Sequence, residues 1–198
     1  MSQQPSTKLE VAEVTAADTP SLIALMERER CPCFCRFWHF TGTNKEWEAR
    51  CALAPEQNRT ELQGAIEARS NEGKGLIARL AGDGSIVGWM KLTPRAAMPK
   101  LLARVPYRDL GEREGVLSIG CFVVDPAHRR RGVARALVEG ALAIAPRWGA
   151  AFVEAYPRGS DLPLHDGEAF MGPIALYRSL GFEIARDAPQ YPVLRKRV

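Results

Sequence analysis

A chain of 198 residues is long enough for one well-cored domain and short for two. Hydrophobic residues at 46% and charged ones at 25% fall near globular averages, so extended disorder is excluded, and no apolar run approaches the length of a transmembrane helix. The net charge of +4 is mild and gathers at residues 129–131 and 195–197, which suits a small anionic ligand better than a nucleic-acid track.

Residues 1–7 are polar, lack the apolar core of a signal peptide and are expected to be a flexible start, which leaves residues 8–198 as a single, cytoplasmic domain. Residues 9–14 alternate loosely, as an edge strand does. A helix is predicted next. Thr19 caps it, Pro20 suits its first position, and Leu22, Ile23, Leu25 and Met26 form an apolar face running towards Arg30. Cys31-Pro32-Cys33-Phe34-Cys35 ends it, ahead of the aromatic cluster Phe37, Trp38 and Phe40.

Three alternating cysteines, with Cys51 and His39 in the same region, raise the question of zinc. Structural zinc sites pair their cysteines as C-x₂₋₄-C, however, whereas C-x-C-x-C in a strand throws Cys33 to the face opposite Cys31 and Cys35. Buried or groove-lining thiols without a metal are therefore expected, and an odd count of five in a cytoplasmic chain argues against disulfides. A nucleophilic cysteine would need a nearby base, and His39 is close only along the chain.

Residues 44–51, with Trp47, and 55–70, with Leu62 and Ile66, read as two helical pieces broken at Pro55 and closed by Asn71-Glu72-Gly73. Residues 75–80 and 86–92 are strand runs joined through Ala81-Gly82-Asp83-Gly84-Ser85, whose Gly and Asp supply the positive φ values of a hairpin. Residues 94–115 form a long linker that either covers an acceptor site or packs Leu101, Leu102 and Val105 down as a surface excursion.

The apolar run 119–124 ends at Asp125-Pro126 and gives way to Arg129, Arg130, Arg131 and Gly132, after which helical periodicity begins at Val133. Such a helix start leaves four backbone N–H groups without partners and adds roughly half a positive charge from the macrodipole. Phosphates are drawn there. Gly132 has no Cβ to keep a diphosphate off the backbone, and the arginines add charge. Val133, Leu137, Ala141 and Leu142 give the helix an apolar side, with Arg135 and Glu139 as a solvated i,i+4 pair. Gly120 leaves a gap in the strand's side-chain wall where an extended ligand could lie. The plainer alternative is a strand, a turn and a helix whose arginines face solvent.

Residues 150–156 form another strand run, with Glu154 and Tyr156 on one face and Val153 and Ala155 on the other. A carboxylate there must pair, keep a raised pKa or sit at the mouth of a cleft. Residues 158–171 make a second long loop with Asp161, His165, Asp166 and Glu168, whose acidity would favour a cationic amine unless it is simply solvated. Residues 173–180 are the short last helix, stopped by Gly181, and residues 182–185 and 193–198 are closing strands.

R-x-x-G-x-A, here Arg129, Gly132 and Ala134, resembles the acyl-CoA pyrophosphate motif of the GNAT acetyltransferase superfamily. Downstream, Ala175-Leu176-Tyr177-Arg178-Ser179-Leu180-Gly181-Phe182 is similar to that superfamily's A-x-L-Y-x-x-x-G-F segment, in the right order. CPCFCRFWHFTGTNKEW, VGWMKLTPR and VEAYP resemble a bacterial GNAT subgroup without an assigned substrate. The resemblance implies an α/β (α+β) fold with a mixed, mainly antiparallel central sheet, helices on both faces, and a cleft where the strands at 119–124 and 150–156 splay. It implies acetyl-CoA as acyl donor, its pyrophosphate on the backbone of Arg129, Arg130, Arg131, Gly132, Val133 and Ala134, and its pantetheine beside Cys121, Phe122, Val123 and Val124. The first helix would lie beside the acceptor groove.

The reaction so implied is N-acetyl transfer to a small-molecule or peptide amine, with Tyr177 as the acid for the leaving thiolate and Glu154 as the base. Two features depart from the superfamily pattern: residues 119–124 carry no carboxylate, and Gly172-Pro173 stands where many relatives place an asparagine. A non-catalytic acyl-CoA-binding or sensing domain is the rival reading. No nucleic-acid or membrane partner is expected, a homodimer is left open, and a P-loop is excluded because no G-x₄-G-K-[ST] occurs.

Overall fold

The computed structural model describes residues 8–111, 114–159, 170–188 and 190–198. Seven strands run β1 (Leu9–Glu13), β2 (Gly75–Leu80), β3 (Ile86–Pro94), β4 (Val116–Val124), β5 (Phe152–Ala155), β6 (Glu183–Arg186) and β7 (Val193–Arg197). They form one sheet in the order β1-β2-β3-β4-β5-β7-β6, antiparallel throughout except for β4 with β5. The helices are α1 (Thr19–Arg28), α2 (Asn44–Leu53), α3 (Pro55–Glu67), α4 (Pro99–Leu102), α5 (Val133–Ile144) and α6 (Ile174–Ser179). The expected fold class is the observed one. No helix of the described residues is long and apolar enough to cross a membrane.

Strand alternation splits the core between the two faces of the sheet. On one face Leu22, Leu25 and Met26 of α1, with Leu62 of α3 and Trp38, pack against Ile77, Trp89 and Val123. On the other, Val133, Leu137, Val138 and Ala141 of α5 pack against Leu76, Met90, Ile119 and Val153. Glycines bring α5 down onto the strands: a Cβ at Gly88 would come within 2.4 Å of Val133, and one at Gly140 within 2.5 Å of Val11. The Arg135–Glu139 pair is present and exposed, with 3.6 Å between Nη1 and Oε1.

Several local expectations are corrected. Thr19 is the first helical residue of α1; the chain is locked one turn earlier, where Asp18 accepts from the backbone N–H and hydroxyl of Thr15, each at 2.9 Å, and pairs with Arg79. β4 begins at Val116, three residues before the predicted run. Gly120 is not a ligand gap, because the stem of Lys91 and the ring of Trp38 fill the space a side chain would take. The linker 94–115 packs Met98, Leu101 and Tyr107 into the core yet leaves Val105 73% exposed.

The cysteine segment is a turn and not a strand, with left-handed backbone at Arg30, Phe34 and Cys35. Alternation therefore does not apply, and Cys31 and Cys33 meet, 3.4 Å apart at their sulfurs, instead of facing opposite ways. Among the described residues no three His, Cys, Asp or Glu side chains are arranged to hold a metal ion.

The glycines give a paired test by urea denaturation. Gly140→Val should cost about 1–3 kcal/mol by forcing α5 off β1. Gly64→Ala in α3, where a Cβ would meet nothing within 4 Å, should gain up to about 1 kcal/mol from helix propensity.

Candidate functional site

The site starts where β4 and β5 part. Their parallel pairing lasts only from Val116–Phe152 to Ser118–Glu154, and β4 then runs on to Val124 with no strand of the described residues on that side. Backbone groups along this edge need other partners. Phe122 N–H donates to the Phe170 carbonyl at 2.7 Å, and the Val124 carbonyl accepts from Arg129 Nε at 3.2 Å.

Beyond Val124 the chain turns through the basic loop. Arg130 (φ 60°) and Gly132 (φ 85°) are left-handed, and Gly132 is the N-cap of α5 without a side chain bonding the first helical turn. A Cβ there would meet nothing within 4 Å, so the helix start is open to an approaching ligand. Together these elements frame a cleft of about 640 Å³. Of the ligand-binding residues expected from the sequence, Phe122, Val123, Val124, Arg129, Arg130, Gly132, Val133 and Ala134 line it. Cys121 and Arg131 do not: Cys121 is buried in the core on the α1 face, and Arg131 is turned to solvent.

Sequence reasoning missed the opposite contributions to this lining made by Glu29 after α1 and by Phe170, Gly172 and Leu176 near α6, whereas Cys31 and Cys33, expected as buried or groove-lining thiols, do line it. Glu29 belongs there because its carboxylate takes Arg129 Nη2 at 2.7 Å, a contact across 100 residues that no local pattern signals. For the cysteines the signal was present, but it was read on the wrong backbone geometry.

A second cavity of about 330 Å³ is walled by Trp38, Tyr107, Tyr156, Tyr191 and Met171, with Arg104 and Arg158 at its lining. Tyr107 stands edge-on to Tyr156 with 5.2 Å between ring centroids, and Arg104 lies 5.6 Å from the Tyr191 ring. Phe170 lines both cavities. The linker 94–115 thus helps to build this second space through Arg104 and Tyr107, as well as packing down.

Neither expected catalytic residue reaches a cavity. Glu154 is fully buried, and its oxygens accept from Arg95 Nη1 at 3.1 and 2.9 Å, from Arg195 Nε and Nη2 at 2.8 and 2.6 Å, and from the Tyr156 hydroxyl at 2.6 Å. A carboxylate so saturated, and held between two guanidinium groups, has no lone pair directed at a substrate. It is an anchor rather than a base. Tyr177 is also fully buried, packs on Phe182, and donates to the Met171 carbonyl at 2.5 Å. Burial pushes its phenol far up, away from the match to a thiol that motivated the acid role, and Gly172 stands between it and the cleft. Asp161, His165, Asp166 and Glu168, the acidic loop expected to select cationic amines, lie outside the described residues.

A splayed β4, an uncapped helix start and a basic loop are the frame on which the comparisons bear. A sequence model of the Acetyltransferase (GNAT) family matches residues 43–182, well over half of the chain. The chain belongs to the GNAT acetyltransferase family. No curated protein matches it. Solved structures share the fold of this GNAT domain. A GCN5-related N-acetyltransferase from Kribbella flavida is 20% identical with a TM-score of 0.56, over 98% of this chain and 100% of that one. The GNAT family N-acetyltransferase YhbS from Escherichia coli, solved in complex with CoA, is 20% identical with a TM-score of 0.52, over 100% and 85%. The PaiA N-acetyltransferase from Thermoplasma acidophilum, in complex with coenzyme A, is 11% identical with a TM-score of 0.54, over 96% and 99%. At such identities the likeness carries the fold, while the site must speak through its own residues.

Two substitutions in this GNAT domain separate anchoring from catalysis. Glu154→Gln leaves Arg95, which is fully buried, without its counter-charge, and should cost about 3 kcal/mol in urea denaturation while turnover per folded molecule holds. Tyr177→Phe should cost about 1 kcal/mol and leave kcat near the parental value. A loss of about 10²-fold or more in kcat at unchanged CoA affinity would return the phenol to the acid role.

Proposed function

We propose that the protein transfers an acyl group, acetyl in the first instance, from acyl-CoA to the amine of a small molecule or peptide. One observation carries this reading: the open, left-handed Gly132 start of α5, flanked by Arg129 and Arg130, lies at the end of the unpaired β4 edge. The residues fit the donor at both of its recognisable parts. The free N–H groups at Val133 and Ala134, the helix dipole and the two arginines suit a diphosphate. The unpaired edge from Phe122 to Val124 offers backbone groups to an extended amide chain once the Phe170 carbonyl yields its bond to Phe122.

The aromatic cavity on the other side of Phe170 is the acceptor side in this reading. Trp38, Tyr107, Tyr156 and Tyr191 offer it apolar and π surface, and a boundary residue shared with the donor cleft brings amine and acyl carbon together. The amine must arrive neutral, since an ammonium has no lone pair to attack with. A second reading, a non-catalytic acyl-CoA-binding or sensing domain, is favoured by the burial of both Glu154 and Tyr177.

A thiol-release assay with acetyl-CoA across polyamines, aminoglycosides, amino acids and peptides decides between them: release with any amine supports transfer, and CoA binding without release supports the sensor. Gly132→Asp sets a carboxylate where the diphosphate should lie, and calorimetry should show CoA affinity falling by at least about tenfold, or about 1.4 kcal/mol. Parental affinity in that variant would remove the basic loop from the site.

A further inference from the structure

The second cavity has two unlike ends. Next to β4 the Tyr156 hydroxyl stands 2.7 Å from Ser118 Oγ, and Phe170 is tied to the same strand by the bond from the Phe122 N–H. That end is aromatic. Away from β4, the Tyr156 ring meets Tyr107 at 5.2 Å between centroids, Tyr107 meets Tyr191 at 6.5 Å, and the Arg104 guanidinium lies 5.6 Å from the Tyr191 ring. Arg158 is brought to the same end, because the N–H of its neighbour Gly159 donates to the carbonyl of Gln190, one residue before Tyr191, at 3.0 Å.

The charged end is held through its backbone. Tyr107 N–H donates to the Arg104 carbonyl at 2.9 Å, Arg186 of β6 donates to the Pro106 carbonyl at 2.9 Å, and the buried Arg95 donates to the Gly111 carbonyl at 3.0 Å. The linker carrying Arg104 is therefore pinned on both sides of Tyr107. Among the described residues no carboxylate lines this cavity, and none pairs with Arg104. Burial pushes the Tyr107 phenol up to about 12, so it stays protonated and able to donate. Cations and a phenol offer donors, and a ligand that fits them brings acceptors. At about 330 Å³ the space falls at the small end of ligand sites, which suits a molecule of amino-acid size better than a peptide chain or an aminoglycoside.

We propose that the acceptor is a small amine that also carries a carboxylate, with an apolar or aromatic body, and that Arg104 selects it; this rests on the acyl-transfer reading above. The carboxylate lies by Arg104 and Arg158, the body against Tyr107 and Tyr156, and the amino group at the Phe170 end, where the cavity borders the donor cleft. Bonds from guanidinium to carboxylate are charge-assisted and stronger than neutral ones. A polyamine meets the opposite case. Its remaining ammonium groups would sit against two arginines, where like charges oppose binding, and the ring of Tyr191 that could hold a cation already faces Arg104. This preference runs against the one expected from the acidic loop, whose carboxylates lie outside the described residues.

Two measurements test it, and the first needs no turnover. N-acetyl-L-phenylalanine and N-acetyl-L-leucine, product-like probes, are titrated by calorimetry into CoA-saturated protein, each beside its uncharged amide. The acids should bind at least about tenfold more tightly than the amides, and the difference should shrink with salt. Arg104→Gln, at an exposed position, should bring acid and amide near parity at unchanged CoA affinity, and Arg104→Lys should keep most of the preference. Arg108→Gln on the same linker, which lines neither cavity, should keep all of it. Failure of the parent to bind either acid, equal binding of acid and amide, tighter binding of N-acetylspermidine, or an undiminished preference in Arg104→Gln overturns the proposal. In the thiol-release assay, free amino acids should be acetylated with kcat/KM at least about tenfold above their amides and above spermidine. The reverse order overturns the proposal and leaves acyl transfer standing. CoA binding without release from any amine removes the acyl-transfer reading and with it the acceptor role, while the calorimetry reads the carboxylate site by itself.

Discussion

The brevity of one strand pairing governs this molecule. β5 follows β4 for three residue pairs and then leaves it, so the last six residues of this nine-residue central strand meet no strand of the described residues on that side of the seven-stranded sheet. Unpaired backbone in such a place must be bonded by something. Here the Phe170 carbonyl and the Arg129 side chain do part of it, and a ligand with amide groups can do the rest. The cleft, the basic loop at its end and the neighbouring aromatic cavity all follow from that divergence.

The fork itself is braced by charge. Ser118 and Glu154 are the last partners in register, and Glu154 there is held by Arg95 after β3, Arg195 of β7 and the Tyr156 hydroxyl, which is itself 2.7 Å from Ser118 Oγ. One carboxylate thus ties three segments of chain at the point where two strands separate. A buried ion group is seldom a gain over apolar packing, but breaking it strands the remaining charges, which makes the arrangement hard to lose by single steps.

Phe170 and the residues after it connect the two cavities. Its carbonyl accepts from the Phe122 N–H of β4, the residue lines both spaces, and the carbonyl of the next residue holds the Tyr177 hydroxyl. A ligand that pairs with β4 at Phe122 therefore competes with a segment tied to α6 and bordering the aromatic cavity. Among the described residues, the two cavities are linked through these backbone bonds.

The elements that local pattern and spacing decide were legible. α1, α3, the β2–β3 hairpin and the strand-loop-helix from β4 to α5 follow from apolar periodicity, Pro and Gly, and the basic loop follows from residue types that only one local geometry brings together. The alternation in β5 correctly set Glu154 and Tyr156 against Val153 and Ala155. Sequence could not say what Glu154 meets, because Arg95 and Arg195 lie 59 and 41 residues away, and an isolated carboxylate in a strand reads equally well as a base or an anchor. It misjudged the cysteines because the faces of C-x-C-x-C depend on backbone dihedrals, and three left-handed residues around that segment turn a strand's alternation into a cluster. Residue order determined the fold and the basic end of the cleft; which side chains face that cleft was decided by contacts between distant segments, whose energies no local spacing encodes.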